Sequence, residues 1–331
     1  MTDPVTLIDG YDAALFDLDG VIYLGPQAVP GAAEGVAALR DRGVRIGFVT
    51  NNAARSPQHV VDHLQELGVE ARLDDVVTSA QAVARLMADD LAAGSSVLVV
   101  GTQALADEVA AVGLTVTDDW RTQPAAVVQG YDPTMTQARL DAACFAIQRG
   151  ARWYASNTDA TRPTDLGLVP GAGSQIAVVR AAVDTDPVVA GKPCTPLMHE
   201  TVTRLGAHRP IFVGDRLDTD IEGANAGGID SLFVFTGAHG KADLAAADER
   251  HRPTHLGHDL RALLEAPRPL TGSDESVTCG RATALLVDGR VRLDAPGSTL
   301  DEQLDALWAT LSLVWRGADG SDALERLDLV P

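Results

Sequence analysis

The sequence predicts an α/β fold: a parallel-sheet core, an inserted α/β segment and a small C-terminal extension. Three observations carry this expectation. Short apolar runs alternate with helical patterns over residues 10–83 and again over 190–265. The stretch 84–189 repeats the alternation by itself, as an inserted domain would. Several of the apolar runs end in Asp, Asn or Gly, as buried parallel strands do where they deliver polar groups to a sheet edge. Alternation of this kind implies right-handed βαβ units.

Taken in order, the first part predicts strands over 13–17, 44–50 and 75–78. Helices are predicted near 31–42 and 57–67, with Gly43 and Gly68 placed to end them. The insert predicts strands near 96–100, 125–129 and 152–156 and helices near 103–112 and 136–149. Strands at 211–214 and 230–235 return to the first pattern. The expected domains are therefore a discontinuous core, 1–83 with 190–265, and an insert, 84–189. A Pro- and Gly-containing linker, 266–276, then leads to an extension, 277–331. In the extension, Thr283–Val287 as a run and Val291-Arg292-Leu293 flank Asp288-Gly289, a hairpin signal. A helix follows near 299–316, with apolar residues Leu300, Leu304, Leu307, Leu311 and Val314. So short an extension is expected to pack on another domain rather than fold alone.

Composition limits the function. The chain has 331 residues, 46% of them hydrophobic, and a formal net charge of −20. That charge argues against nucleic acid and anionic membrane surfaces as partners. No stretch approaches the roughly 18 apolar residues of a membrane span. The sequence opens without a basic region or apolar stretch, so no signal peptide is expected. Cys144, Cys194 and Cys279 are odd in number and far apart, which fits free thiols in a reducing cytoplasm.

The chemistry concentrates at three strand ends and one Gly-Lys-Pro stretch. Asp17-Leu18-Asp19-Gly20 follows the first apolar run, and Thr50-Asn51-Asn52 follows the second. Gly214-Asp215 closes the run 210–213 and is followed by Asp218-Thr219-Asp220. Gly191-Lys192-Pro193 lies between. Crowded carboxylates are costly unless a cation sits among them or a proton is shared, which points to a metal-assisted reaction. Lys192 is one of only two lysines, against 24 arginines, so a compact point charge is expected to matter there. These residue types suit phosphoryl transfer. Asp17 can attack phosphorus and form an aspartyl-phosphate. Asp19 can protonate the leaving alcohol and then activate water. Mg²⁺ favours oxygen ligands, which Asp17, the Asp19 carbonyl and Asp215 can supply. Thr50, the Asn51 amide and Lys192 can hold phosphate oxygens. Asp220 is expected outside the ligand set, beside Lys192 or a metal-bound water. Asp218 is read as a helix N-cap.

Together the motifs Asp17-x-Asp19-Gly, Thr50-Asn51-Asn52, Gly191-Lys192-Pro193 and Gly214-Asp215-x-x-x-Thr219-Asp220 resemble the four ordered motifs of the haloacid dehalogenase-like (HAD) phosphatases, and in particular their subfamily IIA. That subfamily includes glycerol 3-phosphate, phosphoglycolate and 4-nitrophenyl phosphatases. The resemblance covers residues 10–265 and implies a Rossmann-like parallel-sheet core with a cap inserted between Thr50 and Lys192. It implies Asp17 as nucleophile, Asp19 as acid/base, Thr50 and Lys192 as phosphate ligands and Asp215 as metal ligand. The run Asn157-Thr158-Asp159-Ala160-Thr161-Arg162-Pro163 is similar to the cap loop that faces the core site in relatives. It implies Asn157, Asp159 and Arg162 as readers of the substrate. The expected activity is a cytoplasmic, Mg²⁺-dependent phosphomonoesterase acting on a small phosphorylated metabolite. Glycerol 3-phosphate is the named substrate; phosphoglycolate, 4-nitrophenyl phosphate and nucleoside monophosphates are the alternatives. Relatives dimerise through the cap, which implies a homodimer. Phosphonate hydrolysis is disfavoured because 84–189 holds no lysine for a Schiff base. A phosphomutase, or a phosphate-binding regulatory module on the same fold, stays open.

Overall fold

Ala13–Asp17 is an unbroken apolar run closed by a carboxylate, and all five of its residues are buried as a strand. The computed structural model describes residues 5–164 and 166–331. It divides into two compact units, one of Met1–Ile46 with Ala207–Pro331 and the other of Gly47–Gly206. The division falls inside the strand Arg45–Thr50, so 47–83 and 190–206 group here with the insert.

In the first unit, four strands lie parallel in the order His255–Gly257, Asp230–Val234, Pro210–Gly214, Ala13–Asp17. The register pairs Phe16 with Val213 and Gly214 with Phe233. Asp17 therefore ends its strand level with Gly214, and Asp215 follows at once. Leu15, Phe16, Phe212 and Phe233 have no exposed surface, so this part of the sheet is buried on both faces, as parallel sheets are. The helix Ala32–Asp41 ends before Gly43, which takes φ 77°.

The extension belongs to this unit. It is larger than the expected hairpin and helix. Four antiparallel strands run in the order Leu270–Gly272, Ser276–Cys279, Ala282–Val287, Arg290–Leu293. The expected linker 266–276 is thus corrected: it contains the strand Leu270–Gly272, because Ser276–Cys279 offers an edge that its backbone can pair with. The Asp288-Gly289 turn has φ of 52° and 79°, two left-handed residues in a two-residue loop, as the hairpin signal required. The helix Leu300–Val314 begins with Thr299 and Glu302 capping each other's backbone N–H groups. Leu304, Leu307 and Leu311 are fully buried in a cluster with Phe233, Phe235, Leu244, Val277 and Leu293. The extension and the parallel sheet share one apolar core.

In the second unit, five parallel strands run in the order Val188–Val189, Arg152–Ala155, Ala126–Gln129, Ser96–Val100, Thr115–Thr117. The helices Gln137–Ile147 and Ala172–Arg180 cover them, burying Leu98, Val127, Trp153, Ile176 and Val179. The strand Val76–Thr78 pairs with the end of Arg45–Thr50, Thr78 opposite Thr50. A hairpin, Thr161–Thr164 with Gly167–Pro170, stands where the sequence predicts only loop. Among the described residues, no disulfide forms and no helix is long and apolar enough to cross a membrane.

The shared core predicts that Leu307→Ala lowers stability by about 2–5 kcal/mol. A melting curve with urea titration checks this. A loss below ~0.5 kcal/mol would show that the extension adds nothing to the fold.

Candidate active site

The first unit gathers carboxylates at the carboxyl ends of its parallel strands, where open α/β sheets bind ligands. Asp17 ends the first strand; Asp215 follows the strand Pro210–Gly214. Asp220 lies in a single π-helical turn, Leu217–Ile221, in which the Arg216 carbonyl accepts from both the Asp220 and Ile221 N–H groups. Such turns bend a helix start locally and are frequent at functional sites. This one swings Asp220 back toward the strand end. Carboxylate oxygens of Asp17, Asp215 and Asp220 all lie within 4.8 Å of one another, and all three residues are buried. One Asp220 oxygen is committed to backbone, accepting from Asp215 N at 3.2 Å and Arg216 N at 3.1 Å.

Asp215 is held in a cradle. A Cβ at Gly20 would sit 2.4 Å from its Oδ2, and one at Gly237 would sit 1.9 Å away. Both approaches need glycine, and Gly20 also takes φ +93°. Ala238 N–H donates to Asp215 Oδ2 at 2.6 Å. The Thr236 hydroxyl donates to the Gly20 carbonyl at 2.5 Å, tying the loop 236–239 to the turn after Asp19. This donor set fits a small hard cation: three buried carboxylates close together, one aimed by a glycine cradle and a backbone amide. Asp19 is exposed, two residues beyond Asp17, and its carboxylate is not among the three. Asp218, expected as an N-cap, instead pairs with Arg216 at 2.7 Å. Ile221 precedes the next helix, and it caps nothing with its side chain. Burial pushes the Asp218 carboxyl up, but the Arg216 bonds outweigh that and hold it below the usual carboxylate range.

The second unit brings together Asn51, Asn157, Asp159 and Lys192. Asn51 is the hub. Its Oδ1 accepts from Lys192 N–H at 2.8 Å, and its Nδ2 donates to the Lys192 carbonyl at 3.0 Å and to Asp159 Oδ1 at 3.1 Å. Its own carbonyl accepts from Asn157 Nδ2 at 2.6 Å and from Ser79 Oγ at 2.5 Å. Thr50 is buried at the end of its strand, and its Oγ1 accepts from Asn52 N–H at 3.1 Å. Lys192 is 2% exposed. Arg162 is exposed on the strand Thr161–Thr164, its guanidinium 4.9 Å from the Tyr131 ring centre.

Two features escaped the sequence. One is the Asn51 side chain, expected only to offer its amide. The other is the loop Thr236-Gly237-Ala238-His239. Its signal was present: a fourth apolar run, 232–235, ends in Thr and Gly like the strands that carry the other motifs.

Comparison with known proteins agrees with this arrangement. A family model described as Haloacid dehalogenase-like hydrolase matches residues 14–115, and one described as HAD-hydrolase-like matches 189–263. The D-glycerol 3-phosphate phosphatase of Mycobacterium tuberculosis is 46% identical over 93% of this chain and 88% of its own length. The chain belongs to the haloacid dehalogenase-like hydrolases. A crystal structure of the glycerol phosphate phosphatase from Mycobacterium tuberculosis in complex with magnesium superposes with a TM-score of 0.87. It is 42% identical and covers 98% of this chain and 99% of that one. The 5′-nucleotidase YutF of Bacillus subtilis is 34% identical over 74% of this chain and 94% of its own. The parallel-sheet core with its helices and small antiparallel sheet is therefore that of a HAD phosphatase.

The cradle predicts that Gly20→Ala weakens divalent-cation binding by at least about tenfold, since the added methyl displaces the Asp215 carboxylate. Calorimetric titration of the metal-free protein checks this, and unchanged affinity would detach Gly20 from the site. The hub predicts that Asn51→Ala costs roughly 2–3 kcal/mol, because it removes the side-chain bonds that hold the Lys192 backbone and leaves buried groups unpaired. Urea unfolding of the variant measures that loss.

Proposed function

We propose that the chain is a magnesium-dependent phosphomonoesterase that hydrolyses glycerol 3-phosphate to glycerol and inorganic phosphate. One observation carries the substrate: the 46% identity to the D-glycerol 3-phosphate phosphatase of Mycobacterium tuberculosis extends over 93% of the chain. The likeness to the 5′-nucleotidase stops at 74% of it.

The roles proposed for the residues follow the four motifs. Asp17, the Asp19 carbonyl and Asp215 would hold Mg²⁺, and Asp220 fixes the strand end that carries Asp215. When bound, Mg²⁺ neutralises charge on the carboxylates and the phosphate. An Asp17 oxygen attacks phosphorus, forming an aspartyl-phosphate as the bond to the glycerol oxygen breaks. Asp19, exposed and able to exchange protons with solvent, gives a proton to that oxygen. It then takes one from the water that attacks phosphorus, and Asp17 leaves as carboxylate. Thr50, the Asn51 amide and Lys192 carry phosphate oxygens. Buried Lys192 suits this as a compact ammonium whose backbone Asn51 grips on both sides. The insert 84–189 serves as the cap, with Asn157, Asp159 and Arg162 reading the alcohol. A cytoplasmic location and a homodimer complete the proposal.

Steady-state kcat/KM should be highest for glycerol 3-phosphate in a panel with phosphoglycolate, 4-nitrophenyl phosphate and AMP. A higher value for any other ester would replace the substrate. Glycerol and phosphate should appear in equal amounts, which excludes transfer to a second hydroxyl. Asp17→Asn should abolish turnover; retention of even a tenth of wild-type kcat, about 1.4 kcal/mol in barrier, would remove Asp17 from the role. EDTA should stop the reaction and Mg²⁺ restore it.

A further inference from the structure

Lys241 is the second of the chain's two lysines and belongs to none of the four motifs. It opens the short helix Lys241–Ala246. Its Nζ donates to the carbonyls of Leu327 and Val330, the latter at 2.8 Å, and its backbone N–H donates to the Pro331 carbonyl at 2.7 Å. Three carbonyls of the segment 327–331 thus converge on one residue. An ammonium can satisfy carbonyls lying in different directions, whereas a planar guanidinium presents its donors in one fork. One turn later, Trp315 Nε1–H donates to the Leu244 carbonyl at 2.8 Å, a second tie between extension and helix.

The residues just before Lys241 reach the other way. Thr236 holds the Gly20 carbonyl, and Ala238 N–H holds Asp215 Oδ2. His239 N–H donates to the Asp215 carbonyl at 3.4 Å, and His239 Nδ1 accepts from Leu217 N–H at 2.9 Å, at the start of the π-helical turn that carries Asp220. Gly240 alone separates His239 from Lys241. The loop 236–240 is therefore gripped at one end by the carboxylate strand ends and at the other by the extension.

We infer that Lys241 is a positioning residue for the cation site: by pinning the loop 236–240 to the segment 327–331, it holds the Ala238 amide and Asp215 in the cation-binding geometry. The extension supplies no ligand of its own; it braces the loop that aims one. This rests on the reading of Asp215 as a metal ligand.

The test is calorimetric titration of Mg²⁺ into the metal-free, full-length protein without substrate, with circular dichroism and melting temperature recorded alongside. Lys241→Met keeps the apolar stem and removes the donors. It should raise the Mg²⁺ Kd about tenfold, as outer partners of metal ligands do. Gly240→Ala attacks the same contact from the other side, since its Cβ would meet the Pro331 oxygen at 2.9 Å. It should shift Kd in the same direction and carries the test if Lys241→Met does not fold. Asp215→Asn is the control for the reading beneath. Wild-type Kd in Asp215→Asn removes Asp215 from the site and the inference with it. Weakened binding in Asp215→Asn, with wild-type Kd in the folded Lys241 or Gly240 variant, overturns the inference alone. A lower melting temperature without a change in Kd also overturns it, making Lys241 a fold contact only.

Discussion

Mutual repulsion among Asp17, Asp215 and Asp220 is the constraint on which the first unit's functional end depends. Their oxygens lie within 4.8 Å of one another and the residues are buried, where water screens them poorly. Left alone, such a group pushes itself apart. The surroundings counter this with fixed dipoles. Asp220 takes two backbone amides, and Asp215 takes the Ala238 amide. Glycines at 20 and 237 let the backbone come close enough to enclose the carboxylate. A small divalent cation suits such a pocket, whose oxygen ligands are already in place.

The second unit solves a different problem. Lys192 is a buried cation in the middle of the short Gly-Lys-Pro stretch. Asn51 fixes it by offering donor and acceptor together, one to the Lys192 carbonyl and one to its N–H. No other short side chain except Asp in its protonated form carries both functions with this geometry. The motif therefore demands asparagine for its side chain as well as for its backbone amide.

The extension gives the first unit part of its core. Leu304, Leu307 and Leu311 pack in the same cluster as Phe233 and Phe235; Phe233 lies on the strand Asp230–Val234, and Phe235 follows its end, just before the loop beneath Asp215. The extension's core thus reaches, through one strand, the loop whose Ala238 amide holds Asp215.

Strand ends, helix limits and the order of the four motifs were legible in the sequence because they depend on neighbours close along the chain. Apolar run length, Gly at a helix end and Asp-Gly at a hairpin act within a few residues, and 13–17, 57–67 and 283–293 behaved accordingly. The chemistry was legible too, since carboxylates at parallel strand ends can serve few purposes. The tertiary structure decided what depends on contacts between distant segments. Leu270–Gly272 became a strand only because a partner edge arrives from 276–279. Asp220 joined the carboxylate group because a π-helical turn redirects it, a choice of one hydrogen-bond register that composition does not reveal. The approach of Gly20 to Asp215 and the Lys241 anchor join residues that lie some 200 and about 90 positions apart in the chain, and no local pattern of residues encodes such distances.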